Sequence, residues 1–374
     1  MMNKTTWQRV KLGEICSTID YGYTTSATNL NTGVKFLRIT DIVPNMINWD
    51  SVPYCEIDFD KKEKYLLEAG DIVIARTGAT TGYNKIIKHN DFQAVFASYL
   101  IRYKINSNLA NPYFIFYHLQ SLAWKGFVEG IIGGSAQPNA NAKQFADFSF
   151  PLPPLETQQR IAEILSSLDD KIDLLHRQNK TLESLSLTLF RHTFIDNPKR
   201  NEWQIGKLGD YVTPKKGKNI TQKNATKGIY PVIAGGLEPA YYHNQSNTQS
   251  PVITISASGA NAGFVNIHYC PVWSSDSSYI DSTITPYIYF SYLFLKHNQN
   301  ILYDKQEGSA QPHIYPSHIM ELEMPHYPKE LMESFETQIQ VYFNKISHNM
   351  KEIQSLESLR DIMLPKLLSG EMEV

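Results

Sequence analysis

Two hydrophobic patterns alternate along the chain. Short apolar runs that end at glycine-containing turns, such as residues 71–75 and 252–255, predict strands and hairpins. Two long segments, residues 156–194 and 329–364, contain neither glycine nor proline and carry apolar residues at heptad spacing, which is typical of coiled-coil helices. We expect the second helix to stop at Pro365, because proline has no backbone N–H and disrupts a helix interior.

The heptad positions predict how the two helices pair. Each apolar stripe contains one asparagine, and an antiparallel pairing with Asn179 opposite Asn349 matches apolar residues along most of the seam. Only Leu168 opposite Arg360 is discordant. The residues predicted to pair the helices are Leu165, Ile172, Leu175, Asn179, Leu182, Ile346, Asn349, Ile353 and Leu356. A parallel pairing, or packing of each helix only on its own domain, would be the alternatives.

The chain is an internal repeat. The segment 11–14 (Lys-Leu-Gly-Glu) recurs at 207–210 (Lys-Leu-Gly-Asp), and Gly-Ser-Ala-Gln-Pro at 134–138 recurs unchanged at 308–312. The offset falls from 196 residues at the first motif to 174 at the second, so the copies differ in length only within their mixed strand-and-loop parts. Because a repeat sets the architecture, this pattern predicts two similar domains, each followed by a long helix.

The repeat therefore predicts an α+β fold with pseudo-two-fold symmetry. Two repeated α/β domains, each with a short helix at 112–122 or 286–296, are separated by two long antiparallel coiled-coil helices. The expected boundaries are 1–154 for the first domain, 155–196 for a central helical region, 197–327 for the second domain and 328–374 for a C-terminal helical region.

Net charge conceals an uneven charge distribution. The formal charge is −2, from 35 basic and 37 acidic residues. Residues 72–128 nevertheless contain six basic residues against one acidic residue, and residues 211–275 contain five against one, whereas residues 321–374 contain ten acidic and five basic residues. Two basic modules rich in Asn, Gln, Ser, Thr and Tyr suit phosphate neutralisation and hydrogen bonding to base edges, although a single such patch could serve only solubility.

The candidate DNA-contacting residues lie at glycine turns and in the basic modules. The glycines at 76–82 and 258–263 permit tight hairpins that project polar side chains outward. The predicted DNA-binding residues are Arg76, Thr77, Thr80, Tyr83, Lys85 and Gln137 in the first module, and Lys216, Lys218, Ser258, Asn261, Asn266 and Gln311 in the second.

The sequence contains no catalytic or metal-binding motif. Neither glycine turn has a phosphate-loop or dinucleotide-binding spacing, and the segment 111–114 (Asn-Pro-Tyr-Phe) lacks the second proline of the adenine-methyltransferase motif and marks a helix start. Cys16, Cys55 and Cys270 have no zinc-ligand spacing and indicate a reducing compartment. Because no apolar segment suits a signal peptide or a bilayer span, we expect a cytoplasmic protein without membrane contact.

Four motifs, in this order, carry a resemblance over nearly the whole chain. They are the Trp-x-x-x-x-Leu-Gly opening of each repeat, the duplicated Gly-Ser-Ala-Gln-Pro, the segment 151–161 (Pro-Leu-Pro-Pro-Leu-Glu-Thr-Gln-Gln-Arg-Ile) and the segment 364–371 (Leu-Pro-Lys-Leu-Leu-Ser-Gly-Glu). In this arrangement the chain resembles the specificity subunit of type I restriction-modification systems. The second copy departs from this pattern at 324–328 (Met-Pro-His-Tyr-Pro), so we do not expect the two copies to dock partners equally.

The resemblance implies a function without catalysis by this chain. It implies two target recognition domains, each reading one half of a bipartite double-stranded DNA sequence, and conserved helices that dock methyltransferase and restriction subunits. Adenine-N6 methylation with S-adenosylmethionine, and restriction with ATP and Mg²⁺, would belong to those partners, so no cofactor is expected on this chain.

Three other functions compete with this interpretation. A subunit of a methyltransferase-only or type IIB-like system would share the same motifs. A non-enzymatic coiled-coil adaptor would explain the helices but not two basic modules. A self-sufficient methyltransferase-nuclease would need the cofactor and catalytic motifs that the sequence lacks.

Overall fold

The computed structural model describes residues 7–88, 92–134, 138–308 and 312–374. They belong to two compact units: unit 1 comprises residues 1–174 and 353–374, and unit 2 comprises residues 175–352. Because both divisions fall inside long helices, each unit contains one β-rich domain and a portion of each helix. No described helix is long and apolar enough to cross a membrane.

Unit 1 contains eight strands and five short helices among its described residues. The strands are β1 (Gln8–Lys11), β2 (Cys16–Tyr21), β3 (Lys35–Leu37), β4 (Ile72–Ala75), β5 (Asn84–Ile86), β6 (Ala94–Phe96), β7 (Leu100–Ile105) and β8 (Ser149–Leu152). The short helices are α1 (Ile39–Ile42), α2 (Phe59–Tyr65), α3 (Pro112–His118), α4 (Leu122–Ile132) and α5 (Ala142–Ala146). The long helix α6 (Leu155–Phe190) begins in this unit.

The central sheet of unit 1 has the strand order β2-β7-β4-β5, with antiparallel neighbours. β4 is buried at every position, which fits its uninterrupted apolar sequence, and Ile72 lies opposite Tyr103 of β7 and Ile86 of β5. β3 and β6 form a parallel pair, and β1 and β8 an antiparallel pair. The aromatic residues Trp124 and Phe145 of α4 and α5 lie in the hydrophobic core beside this sheet.

Unit 2 repeats this arrangement. Its strands are β9 (Ile205–Lys207), β10 (Lys215–Lys216), β11 (Tyr230–Ile233), β12 (Tyr241–His243), β13 (Val252–Ser256), β14 (Val265–His268), β15 (Trp273–Ser274), β16 (Ser277–Asp281) and β17 (Glu323–Pro325). Its helices are α7 (Ile288–His297), α8 (Gln299–Asp304), α9 (Pro316–Met320) and the first part of α10 (Lys329–Leu368).

The sheets of unit 2 correspond strand by strand to those of unit 1. The central sheet has the order β10-β16-β13-β14, β11 pairs in parallel with β15, and β9 pairs antiparallel with β17. Unit 2 adds β12 beside β11. The α+β class and the internal repeat predicted from the sequence are therefore confirmed.

The two long helices pair antiparallel within each unit. In unit 1, Arg360 of α10 bonds Asp169 of α6, and Met363, further along α10, packs in the core cluster that contains Leu165. Their order along α6 is therefore reversed along α10. The same reversal occurs in unit 2, where Asn349 bonds Asn179 while the earlier Phe335 packs against the later Phe190.

The prediction that the second helix stops at Pro365 is wrong, because α10 continues to Leu368. Pro365 lies in the last turn, where it removes one N–H donor and so one helical hydrogen bond. Leu367 and Leu368 are 0% and 5% exposed in the core of unit 1. Burial of two leucines is worth about 1.5–3 kcal/mol each, which together matches or exceeds the ~3 kcal/mol that a proline costs inside a helix. The first helix also differs slightly from its expected end, because a π-helical turn, Arg191–Ile195, follows α6.

Each unit attaches its β-rich domain to the long helices by hydrogen bonds. In unit 1 the Tyr117 hydroxyl donates to Asp169 Oδ2 at 2.8 Å, and the Asn111 N–H at the start of α3 donates to Gln158 Oε1 at 2.9 Å. In unit 2 the carboxylate of Glu336 on α10 accepts the N–H groups of Tyr289 and Phe290 at 3.0 and 2.8 Å. A long helix thus satisfies free N–H donors at the start of a short helix in both units.

Candidate nucleic-acid interface

The glycine turn predicted in each repeat has the same backbone in both units. Turn 1 (residues 77–83) joins β4 to β5, and turn 2 (residues 258–264) joins β13 to β14. Each begins with a short 3₁₀ turn whose first glycine has a positive φ, +77° at Gly78 and +79° at Gly259. L side chains rarely adopt that conformation, which explains a glycine at both positions.

The hydrogen bonds of the two turns also correspond. The N–H of Gly78 donates to the Pro138 carbonyl at 2.9 Å, and the N–H of Gly259 donates to the Pro312 carbonyl at 3.0 Å. The last residue of the duplicated Gly-Ser-Ala-Gln-Pro segment therefore supports each turn. Gln137 and Gln311, predicted to contact DNA, lie outside the described residues.

Turn 1 exposes an aromatic side chain above two half-buried threonines. Tyr83 is 51% exposed, whereas Thr77 and Thr80 are half-buried. Thr77 also forms a β-bridge with Asn139, so the backbone at the start of the turn is fixed. Of the predicted contacts in this turn, Tyr83 is the most accessible to a ligand.

Arg76 lies immediately before turn 1 and stacks on an aromatic ring. Its guanidinium carbon is 5.0 Å from the centroid of the Tyr21 ring, within the range of a cation–π contact. Tyr21 is 41% exposed and Tyr99, whose carbonyl accepts the Arg76 N–H at 3.0 Å, is 60% exposed. The sequence singled out Arg76 but gave no sign of Tyr21 and Tyr99, which come from distant parts of the chain.

Most other basic side chains of the first basic module make contacts inside unit 1. Lys88 Nζ bonds Asp170 and Asp173 of α6 at 2.9 and 2.7 Å. Arg102 is 7% exposed and bonds Asp20 at 2.8 Å. These cations neutralise carboxylates of the same unit, so the six basic residues counted in this segment overstate its free positive charge.

Lys85, predicted to contact DNA, also makes an internal contact. Its ammonium group donates to the Asn45 carbonyl at 2.8 Å, and burial lowers the pKa of Lys85. A partly buried ammonium already bonded to the protein is a weaker phosphate contact than an exposed one.

Unit 2 differs because its basic side chains are exposed. The lysine segment (residues 215–227) carries Lys215, Lys216, Lys218, Lys223 and Lys227, all exposed. None of the five forms an ion pair with any residue that the structure describes. Lys216 lies on the edge strand β10, and the Lys218 carbonyl accepts the indole N–H of Trp273 at 2.8 Å, which fixes the backbone of the segment while its side chains reach solvent.

Turn 2 carries polar side chains that are already partly bonded. Ser258 donates to the carboxylate of Asp276, and Asn261 Nδ2 donates to the Gly235 carbonyl at 3.3 Å. Asn266 is half-buried on β14 opposite Thr254. Ser258 and Asn261 therefore lie together at one turn, whereas Asn266 lies further along the hairpin.

The structure buries most of the residues predicted to pair the helices. Leu165, Ile172, Leu175, Ile346, Asn349 and Ile353 are at most 6% exposed, and Asn179, Leu182 and Leu356 are half-buried. Asn349 Nδ2 donates to Asn179 Oδ1 at 2.7 Å and to Gln178 Oε1 at 2.8 Å. Arg360, the charged residue in the otherwise apolar seam, forms an ion pair with Asp169. Arg360 Nη1 lies 2.9 Å from Asp169 Oδ1.

Each unit also contains a histidine whose pKa is lowered. His118 of α3 is 4% exposed and stacks on Phe150, with 4.6 Å between ring centroids, and burial lowers the pKa of His118 to about 3. In unit 2, His268 Nε2 lies 2.9 Å from Thr254 Oγ1, and burial lowers the pKa of His268 to about 4. Both imidazoles are therefore neutral at pH 7. The described part of the chain contains no cluster of His, Cys, Asp or Glu that could hold a metal ion.

Known proteins are similar to this chain in sequence and in fold. A family model for the type I restriction modification DNA specificity domain matches residues 4–184 and 200–353. The specificity subunit of the type I restriction enzyme MjaIX from Methanocaldococcus jannaschii is 26% identical over 367 residues, covering 87% of this chain and 81% of that subunit. The MjaVIII specificity subunit of the same organism is 28% identical over 181 residues, covering 47% of this chain and 43% of that subunit. A crystal structure of a type I restriction-modification S subunit from M. genitalium matches 98% of each chain with 18% identity and a TM-score of 0.62, which shows a shared fold.

The two matched regions fall on the two copies of the repeat and together span most of the chain. Each contains one glycine turn and most of the long helix that follows its domain. The chain therefore belongs to the family of type I restriction-modification specificity subunits, the recognition components and not the catalytic components of their systems.

Proposed function

We propose that this chain recognises a bipartite double-stranded DNA target, with unit 1 reading one half and unit 2 the other. The observation that carries the proposal is the pair of glycine turns, which share backbone conformation and hydrogen bonds but present different side chains. Thr80 of turn 1 corresponds to Asn261 of turn 2, and Tyr83 corresponds to Phe264. The reason is that the N–H of Tyr83 donates to the Thr80 carbonyl in turn 1, as the N–H of Phe264 does to the Asn261 carbonyl in turn 2. A fixed turn with variable side chains suits a protein that reads two different sequences with one scaffold.

Base reading at these turns follows from donor and acceptor chemistry. A serine hydroxyl or an asparagine amide can bond a base edge in the major groove, and each good contact discriminates by about 1–3 kcal/mol. Because Ser258 and Asn261 already have partners within unit 2, they reach the DNA with restricted side-chain freedom. Such preorganisation favours one base over the others.

Phosphate contacts in unit 2 would come from the lysine segment. Its ammonium groups are exposed and free of carboxylate partners within the described residues, so binding DNA breaks no existing ion pair. Each phosphate contact releases a counterion and adds about 0.9 to the slope of log K against log salt. The lysine segment therefore predicts strongly salt-dependent binding by unit 2.

The outward faces of the long helices are the proposed docking sites for methyltransferase subunits. Apolar residues there stay exposed although the inward faces are packed, with Val341 66%, Ile362 58% and Leu174 52% exposed. The remaining exposed apolar residues on α6 and α10 are Leu155, Leu185, Met350 and Leu359. A partner that docks on these faces would bury these side chains, which gives the docking surface an apolar component.

Catalysis is assigned to the partners in this proposal. Adenine-N6 methylation with S-adenosylmethionine would be carried out by methyltransferase subunits, and ATP- and Mg²⁺-dependent restriction by restriction subunits, in the cytoplasm. This chain determines which DNA sequence is bound, and it positions the target adenine of that sequence for the methyltransferase subunit.

A binding and methylation assay tests the proposal. The full chain is mixed with its cognate methyltransferase, and methylated positions are mapped across a DNA library. We expect methylation of one bipartite motif by the complex, and only weak, salt-sensitive DNA binding and no methyl transfer by the chain alone. Methylation without sequence preference, or methyl transfer by the rigorously purified chain, would contradict the proposal.

A further inference from the structure

We propose that Arg76 reads a guanine in the half of the target bound by unit 1, donating hydrogen bonds to guanine O6 and N7 in the major groove. The inference rests on the proposed function and adds the base and the residue that recognises it. It predicts that at least one G·C pair in that half is specified by a single side chain.

The backbone of Arg76 is held from both sides. Its N–H donates to the Tyr99 carbonyl at 3.0 Å, and its carbonyl accepts the Ala140 N–H at 2.9 Å. The side chain therefore leaves a rigid point at the end of β4, beside turn 1. A base-contacting side chain on a fixed backbone loses little conformational freedom on binding.

The guanidinium is also held in place by stacking. Its carbon lies 5.0 Å from the centroid of the Tyr21 ring, and the Tyr21 hydroxyl accepts the Ala142 N–H at 3.0 Å, which fixes the ring itself. Stacking uses the flat face of the guanidinium. The N–H groups of its two Nη atoms lie in the guanidinium plane, bond no described residue and can reach a base from this partly exposed side chain.

Arg76 differs from the other arginines of unit 1 because its hydrogen-bonding capacity is unused. Among the described residues, none accepts a hydrogen bond from the Arg76 side chain and no carboxylate pairs with it. Nε is itself buried, so the two Nη groups would make the contact with a base. The other five each have an acceptor: Arg9 bonds the Ser149 carbonyl, Arg38 bonds Asp41, Arg102 bonds Asp20, Arg160 bonds Glu156 and Arg360 bonds Asp169. An unpaired arginine among internally paired ones is available for an external acceptor.

The surroundings of Arg76 favour a base over a phosphate as that acceptor. Phosphate contacts cluster with other free cations, but most basic residues of the first basic module are bonded inside unit 1, Lys88 and Arg102 to carboxylates. Arg76 is instead accompanied by the exposed tyrosines Tyr21, Tyr83 and Tyr99. Arginine bonding O6 and N7 of guanine is the commonest specific contact in the major groove.

Unit 2 has no equivalent reader. Ala257 takes the corresponding position, since its N–H donates to the Asp276 carbonyl and its carbonyl accepts the Ile314 N–H, as those of Arg76 do with Tyr99 and Ala140. The inference is therefore specific to unit 1.

The test replaces guanines one at a time with 7-deazaguanine, which lacks the N7 acceptor, in the target duplex identified by methylation mapping. Binding is measured for the full chain in complex with its methyltransferase. We expect one guanine in the unit 1 half where the replacement weakens wild-type binding about 5- to 150-fold, the range of one direct base contact. In the Arg76→Ala complex the same replacement should cause no further loss.

Two variants make the result specific. Arg76→Lys keeps the charge but loses the planar fork, so it should lose the same guanine preference. Arg9→Ala removes another arginine of unit 1 and should keep the wild-type pattern. A uniform loss of affinity for all sequences with a smaller salt slope in Arg76→Ala, and near-normal binding by Arg76→Lys, would identify a phosphate contact and overturn the inference.

The outcome separates this inference from the proposed function. If the wild-type complex binds a bipartite target but no guanine depends on Arg76, only the inference is wrong. If the wild-type complex has no sequence preference, the proposed function is wrong and the inference is wrong with it.

Discussion

The two units build the same turn but use their basic residues differently. In unit 1, Lys88, Arg102 and Lys104 are bonded to carboxylates of the same unit. In unit 2, Lys216 and Lys218 are exposed without an ion pair to any described residue. Similar local charge in the sequence therefore produces a domain in which several cations pair with its own carboxylates in one case, and an exposed cationic surface in the other.

This difference indicates two ways of holding DNA. Unit 1 presents Arg76 among exposed tyrosines, which suits base contacts more than phosphate contacts. Unit 2 presents an exposed lysine segment and a polar turn, which suit strong phosphate contacts and base reading respectively. We expect unit 2 to supply the larger part of the salt-dependent affinity.

The largest expected effect comes from exchanging one unit's domain. Replacing residues 203–325 with the matching segment of a relative should change one half of the methylated motif and leave the other half intact. Binding to the original target should fall toward the non-specific level, by a factor of roughly 10³ or more. Methylation mapping measures the outcome, and a change in both halves would show that the two domains read DNA jointly.

Removing lysines should change the salt dependence of DNA binding when they lie in unit 2 but not when they lie in unit 1. The triple variant Lys215→Ala, Lys216→Ala, Lys218→Ala should reduce the slope of log K against log salt by about 2.7, at ~0.9 per phosphate contact. Its matched control in unit 1 is Lys88→Ala with Lys104→Ala, which should leave the slope unchanged because both ammonium groups already bind carboxylates. Equal changes in the two variants would contradict the proposed division of charge.

Acidification should destabilise unit 1 through His118. The folded pKa of His118 is about 3, below its ordinary value of 6.5, so between these values the unfolded chain binds a proton that the folded chain excludes. Stability is therefore full above about pH 6.5 and lost as the pH falls, by about 2 kcal/mol at pH 5, at ~1.4 kcal/mol per unit.

The loss of stability is measured by urea unfolding at pH 7.5 and pH 5. Hydrogen exchange in residues 112–132 is measured at the same two pH values. His118→Phe should reduce the acid sensitivity of that segment. His268→Phe is the control, and it should leave the acid sensitivity of residues 112–132 unchanged because His268 lies in unit 2. If His118→Phe leaves the difference between the two pH values unchanged, another group is responsible.

The smallest expected effect is at the helix seam. Asn349 is fully buried, and Asn349 Oδ1 and Asn179 Nδ2 have no hydrogen-bond partner among the described residues. Replacing both asparagines with leucine should raise the free energy of unfolding by about 1 kcal/mol, whereas Asn349→Leu alone should lower it because Asn179 loses its partner. Thermal unfolding of the three proteins measures this, and a double variant less stable than the single one would contradict it.

The repeat, the helices and the turns could be predicted because they depend on local pattern. Heptad spacing predicts where α6 and α10 pack, and positions that need positive φ fix the glycines of both turns. The end of α10 could not be predicted from Pro365, because burial of Leu367 and Leu368 in a distant core offsets the lost hydrogen bond.

The candidate interface was less predictable because it depends on contacts between distant residues. Lys88 appeared available to DNA in the sequence, but its partners Asp170 and Asp173 lie more than 80 residues away. Tyr21 and Tyr99 carry no motif and gain their significance only from lying beside Arg76. Counting charges along a segment cannot distinguish a paired cation from a free one.

The most direct test of separate half-site reading compares one substitution in each turn. Thr80→Ala and Asn261→Ala alter equivalent positions of turn 1 and turn 2, and methylation mapping of the two complexes shows which bases lose specification. We predict that each variant relaxes a base in one half only, that the two halves differ, and that Asn261→Ala loses about 1–3 kcal/mol of discrimination at its position. Relaxation of the same half by both variants, or an unchanged motif in both, would contradict the account.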